Sequence, residues 1–274
     1  MKITTLVEER TRVPGLKTEH GLSLLLEKEG EYWLFDTGQS GIVVENARKL
    51  GVRLDDLRGV ILSHGHYDHT GGLSAVLETA GPKKVYGHPG LFRTRYSLRK
   101  KGKSRRIGIP RGRSALESQG AEFSLSREWR EIASGIYLSG EILLAPDSAP
   151  AEPFLTIREK LKLKPDLFVD EQFLLAETPT GLVMLNGCCH TGLIDSLRHV
   201  RSCRPGEKIR AIVGGLHLRS TAPRELAAIA GALAEYEPEL IAAGHCTGEA
   251  AEKVLAEKFG SRFRSLRTGV ELEL

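Results

Sequence analysis

The chain of 274 residues predicts an α/β (α+β) fold in which two packed sheets are flanked by helices. Strand-type runs joined by a tight turn mark hairpins, and apolar runs followed by helical segments mark crossovers. Both patterns occur, whereas a doubly wound sheet would be built from crossovers. Apolar residues make up 41% and charged residues 27% of the chain, an ordinary globular mix that argues against disorder. Residues 1–274 read as a single domain.

Thr4 to Glu8, His20 to Lys28 and Tyr32 to Phe35 read as strands, the last two joined at Glu29-Gly30-Glu31. Gly41 to Leu50 has apolar residues at helical spacing and stops at Gly51. Val60-Ile61-Leu62 is short and wholly apolar, as expected of a strand buried on both faces, and it runs straight into Ser63-His64. A helix from Leu73 to Thr79 ends at Gly81-Pro82, and Lys84 to Tyr86 is another short strand. Leu91 to Arg113 is rich in Arg and Lys with no acidic residue, and reads as a basic insertion. Residues 145–165 carry Pro146, Pro150, Pro153 and Pro165 with little periodicity, and read as a loop. Strands are expected at Phe173 to Glu177, Leu182 to Leu185, Arg210 to Val213 and Glu239 to Ala242, with a last one near Val270 to Leu272. Helices are expected at Leu193 to Val200, Arg224 to Glu235 and Glu249 to Phe259.

The net charge of +4 argues against a nucleic-acid coat but suits an anionic substrate. No apolar run is long enough for a bilayer, and the N-terminus has no signal-peptide pattern, so the expectation is a cytoplasmic protein. Cys188, Cys189, Cys203 and Cys246 match no zinc-knuckle spacing and read as reduced, buried thiols, although two of them lie in Cys188-Cys189-His190 and His245-Cys246. A serine hydrolase is excluded, since there is no Gly-x-Ser-x-Gly elbow.

A metal site needs several neutral imidazoles or carboxylates converging from rigid backbone. His64, His66, Asp68 and His69 supply four such groups within six residues. Alternate residues of an extended chain point the same way, so His64 and His66 face one ion, and Asp68 and His69, where the chain begins to coil, face a second. Further ligands should come from other strand ends. Three later histidines share one context, an apolar strand followed by small residues: His190, His217 and His245. Functional groups of α/β sheets gather at such carboxyl ends. Imidazole with carboxylate suits zinc, iron or manganese.

The run His64-Gly65-His66-Tyr67-Asp68-His69-Thr70-Gly71-Gly72 resembles the metal-binding signature of the metallo-β-lactamase superfamily. Leu34-Phe35-Asp36-Thr37-Gly38, Gly187-Cys188-Cys189-His190-Thr191-Gly192 and His245-Cys246-Thr247-Gly248 extend the resemblance over nearly the whole chain. His20-Gly21-Leu22-Ser23 and Gly214-Gly215-Leu216-His217-Leu218 are similar to a subgroup of metal-dependent hydrolases. That subgroup includes an archaeal methanopterin-biosynthesis enzyme that joins a dihydropterin precursor to a ribofuranosyl-aminobenzene phosphate. The resemblance implies a four-layer αββα sandwich with metals at one sheet edge. It places His64, His66 and His190 on a first ion, and Asp68, His69 and His245 on a second, with Asp36 accepting a hydrogen bond from a ligating histidine. Many superfamily members bridge the ions with an aspartate where this chain has His217, and an imidazole nitrogen has one lone pair and cannot bridge.

The chemistry expected is hydrolysis by a metal-bound hydroxide, formed because a zinc-type ion lowers the pKa of water to about 7. Asp68 would orient it, and His217 or His20 would protonate a leaving group. The basic stretch reads either as a solvated loop or as a flap that grips a phosphate through Arg105 and Arg106. The expected substrate is an anionic, phosphorylated small molecule; pterin-type condensation and RNA cleavage are the alternatives. Only Tyr96 interleaves the basic stretch as a stacking aromatic, which argues against RNA.

Overall fold

Leu24 and Leu26 point into the space between two sheets, whereas Leu25 between them points outward under a layer of helices. The same alternation divides Trp33 and Phe35 from Leu34, and Val183 and Leu185 from Leu182 and Met184. Side chains on a strand alternate between faces, so a run apolar at every position must be covered on both. Such runs account for the layer order. The computed structural model describes residues 1–98, 104–144, 152, 154–160 and 162–274.

The first half contains the strands Lys2–Val7 (β1), Ser23–Lys28 (β2), Glu31–Phe35 (β3), Leu57–Ile61 (β4), Lys83–Gly87 (β5), Arg95–Leu98 (β6), Ser104–Arg106 (β7), Ala121–Leu125 (β8), Arg130–Ala133 (β9) and Ile136–Leu138 (β10). The second contains Leu155–Glu159 (β11), Lys162–Pro165 (β12), Leu174–Thr178 (β13), Gly181–Asn186 (β14), Ile209–Gly215 (β15), Leu240–Gly244 (β16), Phe263–Ser265 (β17) and Glu271–Glu273 (β18). The helices are Ile42–Lys49 (α1), Tyr67–Thr70 (α2), Leu73–Ala80 (α3), Arg113–Ser118 (α4), Leu193–Cys203 (α5), Pro223–Ala234 (α6) and Glu249–Phe259 (α7).

One seven-stranded sheet has the order β18-β1-β2-β3-β4-β5-β8, the other β17-β16-β15-β14-β13-β10-β9. Their facing sides bury one core, with Ile3, Phe35 and Ile61 meeting Leu174, Leu185 and Val213. The outer side of the first sheet packs on α1, α3 and α4, and that of the second on α5, α6 and α7. This is the four-layer αββα sandwich. Strands β3, β4 and β5 run parallel, as do β14, β15 and β16. The carboxyl ends within each set therefore lie along a single sheet edge. Among the described residues no helix is long and apolar enough to cross a membrane.

Sequence reasoning assigns no element between Arg113 and Phe173, yet α4 and strands β8 to β12 lie there. β8 and β9 are sheet edges, where short strands bury little and leave a weak pattern. The proline-rich segment 145–165 is not all loop. Its second half forms β11 and β12, and Pro165 stands at the end of the edge strand β12, where its missing N–H costs no ladder bond. Residues 145–151 and 153 lie outside the described residues, as do 99–103 of the basic stretch.

That basic stretch is corrected as well. It contributes β6 and β7 to a small sheet of order β12-β11-β6-β7, and Arg95 is wholly buried. Its guanidinium donates to Asp166 at 2.7 Å and to Asp170, and reaches the carbonyls of Gly90 and Leu91. Asp170 in turn accepts from the amide of Gly65 at 2.9 Å. Arg95 thus ties the small sheet to the His64–His69 loop. Arg95→Ala strands two buried carboxylates without their cation, and removing one partner of a buried pair costs about 3–5 kcal/mol. Urea unfolding of the variant should show a loss of that size, and a loss below about 1 kcal/mol would show that the cluster does not hold the small sheet in place.

Candidate metal centre

Each predicted ligand sits just past the end of a strand or on the loop that leaves it. β4 delivers His64 and His66, the short α2 carries Asp68 and His69, β14 precedes His190, and β16 precedes His245. All six are buried. The His66 Nδ1 and His190 Nε2 atoms are 3.2 Å apart, and the His64 ring lies within 5.0 Å of both of their rings. Donor atoms of these three lie within 4.8 Å of one another. Asp68 Oδ2 is 3.8 Å from His69 Nε2 and 3.7 Å from His245 Nε2. The structure therefore brings the residues together in the two predicted groups of three.

The donor set fits a cation. His64 Nε2 is buried without a hydrogen-bond partner, and His66 Nδ1 and His190 Nε2 bring two ring nitrogens within 3.2 Å of each other, an arrangement that is costly unless something electron-poor lies nearby. Burial holds His64 and His190 well below the usual imidazole range and His66 at about 3. All three are thus neutral, the state a metal ligand requires. Burial works against the charge of Asp68, but neighbouring His69 and the hydrogen bond from His20 keep it ionised.

Buried carboxylates set the ligands' positions. Asp36, following β3, accepts from Ser63 N at 2.8 Å and Ser63 Oγ at 2.7 Å, and lies 2.7 Å from His69 Nδ1. Its Oδ2 approaches so closely because Gly187 has no side chain; a Cβ there would collide with Ser63 Oγ and Asp36 Oδ2. Glu171 accepts from His190 N at 2.7 Å and from Thr191 N and Oγ1. Glu8 accepts from His245 N at 2.9 Å. Burial raises the carboxyl pKa of Glu8, Asp170 and Glu171, and the amide hydrogen bonds counter it. Of these carboxylates sequence reasoning singled out Asp36 alone. Backbone strain also gathers here, since Asp36, Cys189, His217 and His245 all adopt left-handed φ between 48° and 69°, a conformation that persists only where surroundings enforce it.

His217 does not join either group of three. Its Nε2 pairs with Glu152 at 2.9 Å, and its ring packs 4.1 Å from that of His190. Burial works against its charge, yet contacts with Cys246 and Glu152 push its pKa up to about 10. His20, half exposed, is set between Asp68 Oδ2 at 3.2 Å and Glu9 Oε1 at 2.5 Å, and these carboxylates raise it to about 10. Glu9 carried no sequence signal beyond its place after β1. Cys188 is also at the centre, with its sulfur 3.1 Å from His69 Nε2.

The centre opens into a cleft of about 390 Å³. Arg105 lines it, its guanidinium 4.8 Å above the Tyr67 ring, and so does Arg219, which pairs with Glu9 at 3.0 Å and donates to the His245 carbonyl at 2.9 Å. Arg106, expected beside Arg105, does not line the cleft. Neighbours on a strand point to opposite faces, so both cannot serve one site from β7.

A model of the metallo-β-lactamase superfamily matches residues 16–181, more than half of the chain. The 7,8-dihydropterin-6-methyl-4-(β-D-ribofuranosyl)-aminobenzene-5'-phosphate synthase of Methanocaldococcus jannaschii is 27% identical, covering 98% of this chain and 95% of its own. A solved metal-dependent hydrolase of the β-lactamase superfamily superposes with a TM-score of 0.87 at 30% identity, over 100% of this chain and 99% of its own. Ribonuclease Z of Lactobacillus helveticus is 34% identical over 73 residues, 24% of this chain and 23% of its own. By its layered fold, its clustered ligands and the extent of these matches, the chain belongs to the metallo-β-lactamase superfamily.

Proposed function

We propose that this chain is a metal-dependent hydrolase acting on an anionic, phosphorylated small molecule, with one or two zinc ions as cofactor and iron or manganese as substitutes. The observation that carries this reading is the convergence of six buried donor side chains beneath a cleft edged by Arg105 and Arg219. A bound zinc-type ion supplies an acidified water, of pKa near 7, and polarises the bond under attack. The chain's own groups do the rest. Asp68 stays ionised and faces the second group of ligands, where it aligns the attacking water. His20 and His217 line the cleft, each beside a carboxylate that favours its charged form, placed to give a proton to a departing oxygen. Arg105 and Arg219 hold the phosphate, and the Tyr67 ring keeps the Arg105 fork in place.

The second reading is a condensation that forms a pterin–aminobenzene bond. The full-length similarity to the methanopterin-pathway synthase favours it, and the 5'-phosphate named in that enzyme's product would occupy the same arginines. A nucleic-acid partner is not proposed, because a cleft of about 390 Å³ falls in the range of small-molecule sites. RNA binding with a steep salt dependence would reverse that view.

The purified protein should contain bound metal, lose activity on chelation and regain it with zinc. Turnover should be screened on phosphomonoesters, phosphodiesters, lactones and the dihydropterin–aminobenzene phosphate pair; release of a single condensed product from the last would select the second reading. Asp68→Asn should lower kcat by about 10²–10⁴-fold with the circular dichroism unchanged, and a wild-type rate would remove the mechanism. Arg105→Ala should raise KM about tenfold or more for a phosphorylated substrate, the worth of one charge-assisted hydrogen bond, with little change for its dephosphorylated analogue. An equal effect on both substrates would show that Arg105 does not read phosphate.

A further inference from the structure

The sulfur of Cys188 lies between the two groups of metal-ligand side chains, although the family signature assigns it no role. It is 3.1 Å from His69 Nε2 and 3.4 Å from His245 Nε2. The other nitrogen of His69 faces Asp36 at 2.7 Å, and that of His245 lies 3.3 Å from Glu9. His69 therefore carries a proton toward Asp36 and turns its other nitrogen toward the sulfur, while His245, whose Nδ1 is buried without a hydrogen-bond partner, turns its Nε2 toward the same sulfur. One S–H can satisfy only one of them. Two imidazole nitrogens and a sulfur facing each other in a buried space make a nest for a cation, and His64, with its buried and unpartnered Nε2, belongs to the same cluster.

The sulfur reaches further. Within 4.8 Å it groups with donor atoms of His64 and His69, with those of His190 and His217, and with those of His245 and Cys246. It therefore lies within reach of donors from both groups of three. Of the other thiols, Cys246 Sγ shares one of these groups but donates to the Cys188 carbonyl at 3.2 Å and accepts from His217 N, whereas Cys189 Sγ faces Ser196 and Cys203 Sγ faces His199.

Resting on the metal-dependent reading of this site, we propose that Cys188 is a thiolate ligand shared by the two metal positions, in place of the carboxylate that His217 displaces. A thiolate has several lone pairs and can bind two ions where an imidazole binds one. On metal binding the S–H proton leaves to solvent and a sulfur–metal bond forms; no electrons are exchanged. Thiolate donation favours zinc or iron over manganese and magnesium.

Cobalt(II) loaded into chelator-treated protein tests this, because visible bands report cobalt bound by any donor and an intense near-ultraviolet band reports sulfur. Wild type should show both. Cys188→Ser and Cys188→Ala should keep visible bands, lose the near-ultraviolet band and hold the second ion about tenfold or more weakly, while Cys246→Ala should keep the band. Should neither Cys188 variant fold, the band in Cys246→Ala decides, since Cys189 and Cys203 face away from the cluster. A band retained in Cys188→Ser, lost in Cys246→Ala, or missing from wild type that holds two cobalt ions overturns the proposal alone. Wild type that binds no cobalt overturns the metal-dependent reading beneath it.

Discussion

Buried carboxylates that accept hydrogen bonds from backbone amides are the constraint on which the centre depends. Asp36 fixes Ser63, Asp170 fixes Gly65, Glu171 fixes His190 and Thr191, and Glu8 fixes His245. The loops that carry candidate ligands are thus fastened largely through their main chain, with Asp36 also holding the ring of His69. An ionised carboxylate is expensive to bury unless charge or donors surround it. The amides that each carboxylate accepts from, and Arg95 for Asp170, offset that cost. The arrangement leaves one nitrogen of the His69 and His64 rings to face inward while the other meets Asp36 or Ser63.

Geometry at the sheet edge explains why fastening is needed. Parallel strands end in register, so β14, β15 and β16 bring Gly187, Leu216 and His245 to one edge, and β4 brings His64 to the edge of the other sheet. The chain must then turn sharply for each side chain to point back across the edge. Cys189, His217 and His245 make those turns with left-handed backbone, at a cost of about 1–3 kcal/mol each. The carboxylate–amide bonds to His190 and His245 fall beside the strained residues, where the turn would otherwise relax. Packing of the two sheets and strain at their shared edge are parts of one arrangement.

How much of this was legible in the sequence follows from the same physics. Val60-Ile61-Leu62 and Leu182 to Leu185 announced themselves because strands buried on both faces leave unbroken apolar runs. The convergence of the six candidate ligands was legible because imidazoles so dense, or so regularly placed after apolar strands, are rare unless they meet at one site. Glu8, Asp170 and Glu171 were not, since a lone carboxylate in sequence looks like any solvated one and its burial is a tertiary fact. Arg95 was hidden for the same reason among the other cations of the basic stretch, and only its two aspartates, about seventy residues away, distinguish it from Arg105 in the cleft. The small sheet was missed because its strands are short and its two local pairs, β6 with β7 and β11 with β12, join only through β6 and β11 across about sixty residues.

Charge sharpens the reading of the centre. An aspartate bridging two divalent ions contributes one negative charge as well as two oxygen lone pairs, and His217 in its place supplies neither. Left uncorrected, the exchange would make the site more positive by one unit and loosen the second ion, since mutual repulsion of two dications grows as the charge between them falls. A thiolate at Cys188, as proposed, would restore that unit from a different strand end. His217 is then released to the cleft, where Glu152 holds its charge facing substrate rather than metal. The site would thus keep its metal electrostatics while adding a cation to the substrate side, and a cation there is what a phosphorylated substrate calls for.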